Sequence, residues 1–355
     1  MGTPDEFSEV INYRGSTGEW KRFLKKTIHD NGVSAMFGHG DCHFYHSVAS
    51  EVAKEDGVDF IITEEGYIRP NFITIERGGV NANSDLMGND FQKKTRANHS
   101  NDPNTYATLT QRALWCSCYY ISNLLNFGFE GYKHRRNETI SQELIGWIRT
   151  ITRKFAHRKN TWEISTRKPF FLVPLQVYND SQITKHSDYK SVEEFIGEVM
   201  YSFSKHDNDG THLVFKHHPY SIGFSYYGDT IETLAKRYRM ENRVQYIMEG
   251  HLPSLIKGSK GVVTINSTVG INTAVHNKPL MVMGKAFFNK KGISHQGSLD
   301  TFWGDNNRVC KKTTKNMIHE IKADKMLCAS LYSHFDLSAK RISVRISDLI
   351  NTSAL

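Results

Sequence analysis

Two stretches of the sequence combine carboxylates with other polar side chains at the end of an apolar run. In the first, residues 170–183 (FFLVPLQVYNDSQI), the opening apolar run is typical of a strand buried on both faces. Gln176 and Asp180 follow where such a strand would end. Ligands of open parallel sheets bind beyond the carboxyl ends of the strands, so the sequence places a carboxylate beside a cleft. Taken alone, this stretch is interpreted more simply as a solvated loop.

The second stretch is an acidic pair. A short strand is predicted over residues 59–63, and Glu64, Glu65, Gly66 and Arg69 come directly after it. Adjacent carboxylates repel each other, which raises one pKa in a desolvated site and suits a general acid or base. An ordinary turn is the alternative interpretation.

Further polar residues follow the other predicted strands of the second half. Short apolar runs alternate there with amphipathic segments, which predicts a parallel sheet with helices on both faces. Right-handed crossovers bring the ends of all its strands to the same edge. The residues that follow successive strands are Gln176 and Asp180; Lys216, His218 and Pro219; Glu249; and Asn266, Ser267 and Thr268.

The chemistry of this edge favours a nucleotide. Ser267 and Thr268 open a predicted helix, whose unpaired N–H groups favour a phosphate, although the pair taken by itself is interpreted more simply as a plain N-cap. Lys216 and His218 add positive charge and donors. There is no GxxxxGK[ST] motif, which disfavours a P-loop ATPase, and no acidic metal-binding pattern. Three closely spaced histidines could form a metal site, but no second ligand cluster accompanies them, so we expect no metal: His39, His43 and His46.

Composition sets the remaining limits. The 355 residues suit two domains, and a net charge of +8 favours an anionic partner. Nucleic acid is disfavoured because aromatic residues are not interleaved with the basic clusters. The five cysteines suggest reduced thiols in a cytoplasm, with Cys116 and Cys118 packed in a core. No window approaches the ~18 apolar residues of a membrane span, and no signal-peptide core is present.

Four segments carry a family resemblance. EEGYIRP, QVYNDSQI, KHHP and INSTVGINTAVHNKPLMVMGKAFFNKKGI occur in this order between residues 64 and 303. The chain resembles the capsule polysaccharide biosynthesis and export family of β-Kdo transferases, and most closely the KpsS type. The resemblance implies an α/β, GT-B-like fold with two Rossmann-like domains facing a central cleft. We expect an N-terminal acceptor domain over 1–165, a CMP-sugar-binding domain over 166–310, and C-terminal helices over 311–355 that pack back on the first domain.

The resemblance also implies roles for individual residues. Asp180 matches the carboxylate thought to attack the sugar, and Glu65 with Glu64 matches the acidic pair that transfers a proton to or from the acceptor. From charge and position, Gln176 and Arg69 are expected to bind the sugar. The residues expected to bind CMP are Lys216, His218, Pro219, Glu249, Asn266, Ser267 and Thr268.

The implied activity is a retaining transfer of Kdo from CMP-Kdo to an anionic lipid or glycolipid, such as a phosphatidylglycerol-type acceptor. Retention suggests a double displacement through Asp180, with a front-face mechanism as the alternative. The expected location is the cytoplasm, peripheral on the inner membrane, in contact with capsule assembly or export proteins. Two other functions stay open: a sialyltransferase-like inverting transferase with Glu65 as base, and a non-catalytic export component that binds polysaccharide or lipid.

Overall fold

The structure is a computed structural model that describes residues 9–91, 108–124, 132–133, 140–157, 168–207, 210–304 and 309–351. Its strands are β1 (Ala35–His39), β2 (Asp59–Glu65), β3 (Phe72–Arg77), β4 (Phe170–Pro174), β5 (His212–Lys216), β6 (Val244–Ile247), β7 (Gly261–Thr264), β8 (Leu280–Val282) and β9 (Met326–Cys328). Its α-helices are α1 (Trp20–Asp30), α2 (Phe44–Asp56), α3 (Leu109–Leu124), α4 (Ile140–His157), α5 (Ser181–His186), α6 (Val192–His206), α7 (Gly228–Arg237), α8 (Leu252–Gly258), α9 (Val269–Val275), α10 (Lys311–Glu320) and α11 (Phe335–Asn351).

The second half of the chain forms the predicted parallel sheet. Its strand order is β6-β5-β4-β7-β8, and every pair of neighbours is parallel. Successive side chains of β4 point to opposite faces. Phe171 and Val173 pack in one hydrophobic cluster with residues of α6, while Phe170 and Leu172 pack in another with residues of α8 and α9. The near-continuous apolar run therefore reflects a central strand covered by helices on both sides, and the predicted α/β class is confirmed.

The first sheet is mixed rather than fully parallel. Its order is β1-β2-β3-β9: β1 and β2 are parallel and connected through α2, whereas β3 and β9 add antiparallel pairs. A single βαβ unit thus carries the Rossmann-like character of this half. The strand β9 lies between the C-terminal helices, and the sequence reading did not predict it.

The two halves share a hydrophobic cluster. Tyr67, Leu86 and Phe91 pack with core residues of the second sheet, and the rings of Tyr67 and Phe287 lie 4.8 Å apart. Asn316 of α10 donates to the backbone carbonyl of Phe91 at 2.9 Å. The halves are therefore joined by packing as well as by the chain itself.

The proposed domain limits remain predictions. The basic and polar composition of residues 154–168 predicts an interdomain linker. This stretch overlaps the last turn of α4, and its residues 158–167 lie outside the described part of the chain. The polar stretch over residues 81–104 predicts a long loop, and its residues 92–104 also lie outside the described part. Within the described ranges, no helix combines the length and apolar character that crossing a bilayer requires.

Candidate functional site

The predicted polar residues lie at one edge of the second sheet. The strand order places the segments after β6, β5, β4 and β7 side by side at their carboxyl ends. Adjacent strands are about 4.8 Å apart, so these four segments span on the order of 15 Å, about the length of a nucleotide with its sugar. Each segment begins where a strand of the sheet ends, because the sheet core stops there and polar groups can face a ligand.

Asp180 belongs to a hydrogen-bonded amide network. Gln176 donates through Nε2 to Asn266 Oδ1 at 3.0 Å and, at 3.4 Å, to Asp180 Oδ2. The backbone N–H of Asn266 donates to Gln176 Oε1, and its side-chain amide donates to the carbonyl of Gln182. Gln176 and Asn266 are both buried. The network connects the ends of β4 and β7 and fixes one carboxylate oxygen relative to both.

The other carboxylate oxygen of Asp180, Oδ1, caps a helix. Asp180 is the N-cap of α5, and its Oδ1 accepts from the backbone N–H of Gln182 at 2.9 Å. Such a cap satisfies a donor that the first helical turn leaves unpaired. The capping bond uses Oδ1, and Oδ2 has the longer contact, at 3.4 Å, with the amide of Gln176.

The segment after β5 supplies a buried cation and two imidazoles. Lys216 is only 6% exposed, and its Nζ donates to the carbonyl of His217 at 3.2 Å. Burial lowers the pKa of Lys216, and the nearby carboxylate of Glu249 partly opposes that shift. His217 is also buried and its Nδ1 lies 2.7 Å from the hydroxyl of Tyr246. A buried, incompletely neutralised ammonium favours an anionic ligand.

His218 faces the site as a neutral donor. Its Nδ1 accepts from the backbone N–H of Tyr220 at 3.2 Å, which caps the short turn Pro219–Ser221. Nε2 therefore carries the ring proton. Burial, together with the positive charges of Lys216, His217 and Arg69, lowers the pKa of His218 to about 4. Near neutral pH the ring thus presents an N–H to an acceptor without itself being charged.

The remaining predicted nucleotide ligands flank this segment. Glu249 lies after β6, where its Oε1 is 3.5 Å from Nζ of Lys154. Ser267 and Thr268 lie after β7; Ser267 Oγ accepts from the N–H of Val269, and Thr268 is the N-cap of α9. Thr268 caps α9 by position without a side-chain capping hydrogen bond, and α9 has only seven residues. Phosphate binding by this pair stays a prediction.

The acidic pair lies at the carboxyl end of β2, in the first sheet. Glu64 and Glu65 are its last two residues and are partly buried. Glu65 Oε2 is 3.8 Å from Nε of Arg69, and that Nε donates to the carbonyl of Gly66. A side chain at Gly66 would collide with the backbone carbonyl of Phe72, so glycine is required for the turn that holds Arg69 near the pair.

Contacts between the halves join segments near these two sheet edges. Cys42 follows β1, and its Sγ lies 3.4 Å from Nε2 of His186 at the end of α5. Lys185 donates to the carbonyl of Cys42 at 2.7 Å. Arg69 of the first half acts electrostatically on His218 of the second. These contacts bring the segments after β1 and β2 close to α5 and His218. That the acidic pair and the second-sheet residues line opposite sides of the central cleft stays a prediction.

The histidines considered as metal ligands have other partners. Nδ1 of His46 lies 2.9 Å and 2.8 Å from the carbonyl oxygens of His39 and Gly40, so it carries a proton and donates to them. His39 Nδ1 lies 3.2 Å from the hydroxyl of Thr63. In the part of the chain that the structure describes, no group of three or more His, Cys, Asp or Glu side chains is arranged to hold a metal. That the protein needs no metal stays a prediction.

Comparison with known proteins identifies the family. The model of the capsule polysaccharide biosynthesis protein family matches residues 34–332. The chain belongs to this family. The capsule polysaccharide export protein KpsS of Escherichia coli is 39% identical over 308 residues, 83% of the chain and 78% of KpsS. The capsule polysaccharide modification protein LipB of Neisseria meningitidis serogroup A is 32% identical over 314 residues, 84% of the chain and 75% of LipB.

Among solved structures the match is more distant. The β-Kdo 2,7 transferase KpsC of Thermosulfurimonas dismutans superposes with a TM-score of 0.40 at 16% identity, covering 84% of the chain and 88% of KpsC. A similarity of this size supports no conclusion about chemistry. Family membership confirms the resemblance read from the four sequence segments, and the chain is a capsule polysaccharide biosynthesis protein.

Sequence reasoning missed the contribution of α4 to this site. Arg153 donates through Nη1 to the carbonyls of Ile222 and Ser225, in the loop that follows His218. Lys154 is the partner of Glu249. The basic cluster over residues 153–159 is the available signal, but it overlaps the stretch 154–168 whose polarity predicts an interdomain linker. A linker and a polar helix face have the same composition, so only the fold distinguishes one from the other.

Proposed function

We propose that the chain is a glycosyltransferase that moves Kdo from CMP-Kdo to an anionic lipid acceptor during capsule assembly. Family membership supports the biosynthetic context. The observation that carries the proposal is the meeting, at one sheet edge, of Asp180 in its amide network with Lys216 and His218. A carboxylate beside a cationic, donor-rich pocket suits a sugar whose leaving group is a phosphate.

The donor would bind along the second-sheet edge. The ammonium of Lys216 and the Nε2–H of His218 would donate to the CMP phosphate, with Ser267 and Thr268 on the neighbouring segment. Preorganised donors of this kind are typically worth about 3–4 kcal/mol each in transition-state stabilisation. Lys216 is buried, and hydrogen bonds to the backbone N–H groups of Tyr220 and Val269 hold His218 and Ser267 in place before the donor arrives.

Asp180 would act as the nucleophile. Its Oδ2 attacks the anomeric carbon of Kdo, the bond from that carbon to the phosphate oxygen breaks, and CMP leaves as a phosphate monoester. An acceptor hydroxyl then attacks the same carbon and releases Asp180 as a carboxylate. Two inversions retain the configuration of the donor. Because Oδ1 is held by the α5 cap, the carboxylate presents Oδ2 in a fixed direction.

The acidic pair would serve the acceptor side. In this proposal Glu65 takes the proton of the attacking hydroxyl, while Glu64 supplies a second negative charge that favours proton capture. Arg69, between Glu65 and His218, and Gln176 would bind the Kdo carboxylate and hydroxyls. We expect neither a metal nor an organic cofactor, because the leaving group is stabilised by protein donors alone.

The place of the reaction is part of the proposal. A phosphatidylglycerol-type or glycolipid acceptor puts the protein in the cytoplasm, peripheral on the inner membrane, beside capsule assembly and export proteins. The net charge of +8 supports an anionic surface as a partner.

The test is a transfer assay with product analysis. The purified chain is incubated with CMP-Kdo and dispersed phosphatidylglycerol, and the product mass and anomeric configuration are recorded. We expect a lipid carrying Kdo with the donor configuration and release of CMP. Product of inverted configuration would reject the Asp180 mechanism. No transfer to any anionic lipid or glycolipid, with CMP binding intact, would reject the acceptor class.

A further inference from the structure

An outward apolar stripe runs along α4. Leu144, Ile148, Ile151 and Phe155, with Trp147 beside them, recur at the spacing of one helix face. All five are exposed, from 48% for Trp147 to 70% for Phe155. A stripe from residue 144 to 155 is about 16 Å long at 1.5 Å per residue. No other described part of the chain covers it.

The opposite face of α4 is the one that packs. A side chain at Gly146 would collide with the ring of Phe224, and one at Gly223 would collide with the carbonyl of Gly146. Arg153 on this face donates to two carbonyls of the same loop. The helix therefore rests on the protein through small and polar residues and presents its apolar residues outward, the reverse of an ordinary surface helix.

The exposed charges of α4 are positive. Arg149 and Lys154 are exposed, although Lys154 also lies 3.5 Å from Glu249, whereas the acidic residue of the helix, Glu143, is buried. An apolar face of Leu, Ile, Trp and Phe with basic flanks is the composition of helices that lie in the plane of an anionic bilayer. Basic side chains near such a surface are attracted by about 1 kcal/mol each.

We infer that this stripe of α4 docks the protein on an anionic lipid surface. The inference rests on the proposed function for its purpose, because it names the face through which a membrane-bound acceptor would be reached. The loop under α4 begins at Pro219, directly after His218. One helix diameter, on the order of 10 Å, separates a membrane on the outer face from that loop. An acceptor headgroup can thus approach the cleft while its acyl chains stay in the bilayer.

The experiment is vesicle flotation of the full chain without CMP-Kdo. Vesicles of phosphatidylcholine alone are compared with vesicles containing phosphatidylglycerol. The test variant carries Leu144→Gln, Ile148→Gln, Ile151→Gln and Phe155→Gln. The control variant carries Tyr201→Gln and Val344→Gln, two comparably exposed apolar residues (52% and 57%) on α6 and α11. Thermal melting with and without CMP confirms that both variants are folded.

We expect wild type and control to float with phosphatidylglycerol vesicles and the α4 variant to bind at least ~10-fold more weakly. Arg149→Gln alone should weaken binding about 2- to 5-fold and reduce its dependence on salt. Equal flotation of the α4 variant and wild type would overturn the inference. So would a wild-type dimer in light scattering that the α4 variant loses without any change in lipid binding, since a second copy would then cover the stripe.

The outcome is separable from that of the proposed function. If wild type floats through α4 but transfers no Kdo to any acceptor, the docking surface stands and the enzyme proposal fails. If transfer to a detergent-dispersed acceptor persists while flotation is unaffected by the α4 changes, the enzyme proposal stands and the docking surface fails.

Discussion

The two sides of the cleft are built differently. On the second-sheet side, the buried amides of Gln176 and Asn266 tie Asp180 to two strands. On the first-sheet side, Glu64 and Glu65 are partly buried at a strand end, and Arg69 beside them is exposed. A fixed side suits the bond-breaking step, where small displacements are costly. A more solvated side suits acceptors that must enter and leave.

The largest effect is expected at Asp180. Asp180→Asn should lower the transfer rate by at least ~10³-fold with little change in CMP affinity, because the amide lacks the attacking charge. Asparagine caps a helix as well as aspartate, so α5 should keep its start. Transfer kinetics and calorimetric CMP titration measure both quantities, with the exposed Asp188→Asn as control. Near wild-type transfer would remove Asp180 from the mechanism.

Glu65→Gln addresses the opposite side. We expect a loss of about 10²-fold in transfer, the usual contribution of a general base, with CMP affinity unchanged. The rates of Glu65→Gln and Asp180→Asn are measured in the same assay. If Glu65→Gln is the inactive variant and Asp180→Asn is active, the sialyltransferase-like inverting alternative replaces the double displacement.

Glu76 is buried in β3 of the first sheet, and its ionisation makes the stability of the fold depend on pH. Its carboxylate accepts from the hydroxyls of Tyr67 and Ser84, and burial raises its pKa to about 7. The folded chain therefore holds this proton between pH 4.5 and 7 while the unfolded chain loses it. The contribution of protonated Glu76 to the free energy of unfolding is fully present below pH 4.5. It is lost as the pH rises through 7, which lowers the free energy of unfolding by about 3 kcal/mol.

Urea unfolding of wild type and Glu76→Gln at pH 5 and pH 8 measures this contribution. The free energy of unfolding of wild type relative to the variant should fall between the two pH values. An unchanged difference would mean that Glu76 is ionised in the folded protein at both.

The smallest effect is expected at His218. Asparagine keeps an acceptor near the Nδ1 position for the Tyr220 N–H but lacks the Nε2–H. His218→Asn should weaken CMP binding about 10-fold, the value of one hydrogen bond to a charged group. Calorimetry at pH 7.5 measures it. Unchanged affinity would place the phosphate elsewhere on the second-sheet side.

Much of the second sheet could be predicted from the sequence. A run such as FFLVP forms a central strand because it fits only a strand covered on both faces, and the polar residues after it mark the sheet edge. The pairing of Gln176 with Asn266 could not be predicted, because those residues are 90 positions apart and meet only through the order of β4 and β7.

Other features could not be predicted because their sequence patterns are ambiguous or too short. Periodicity identified α4 as amphipathic, but it cannot tell whether the apolar face points inward. Cys116 and Cys118 of α3 were expected in a core for the same reason, and both are exposed. The strand β9 has only three residues, too few for an alternation pattern, and is specified by its pairing with β3.

That pairing affects how the protein is made. β9 is an edge strand of the first sheet but is translated some 250 residues after its partner, β3. During synthesis the second sheet can therefore form from a continuous segment. In the first sheet, one edge of β3 stays unpaired until residues 326–328 leave the ribosome. Cutting the gene after the second sheet would leave the first half with a bare strand edge, a surface prone to pairing with other chains.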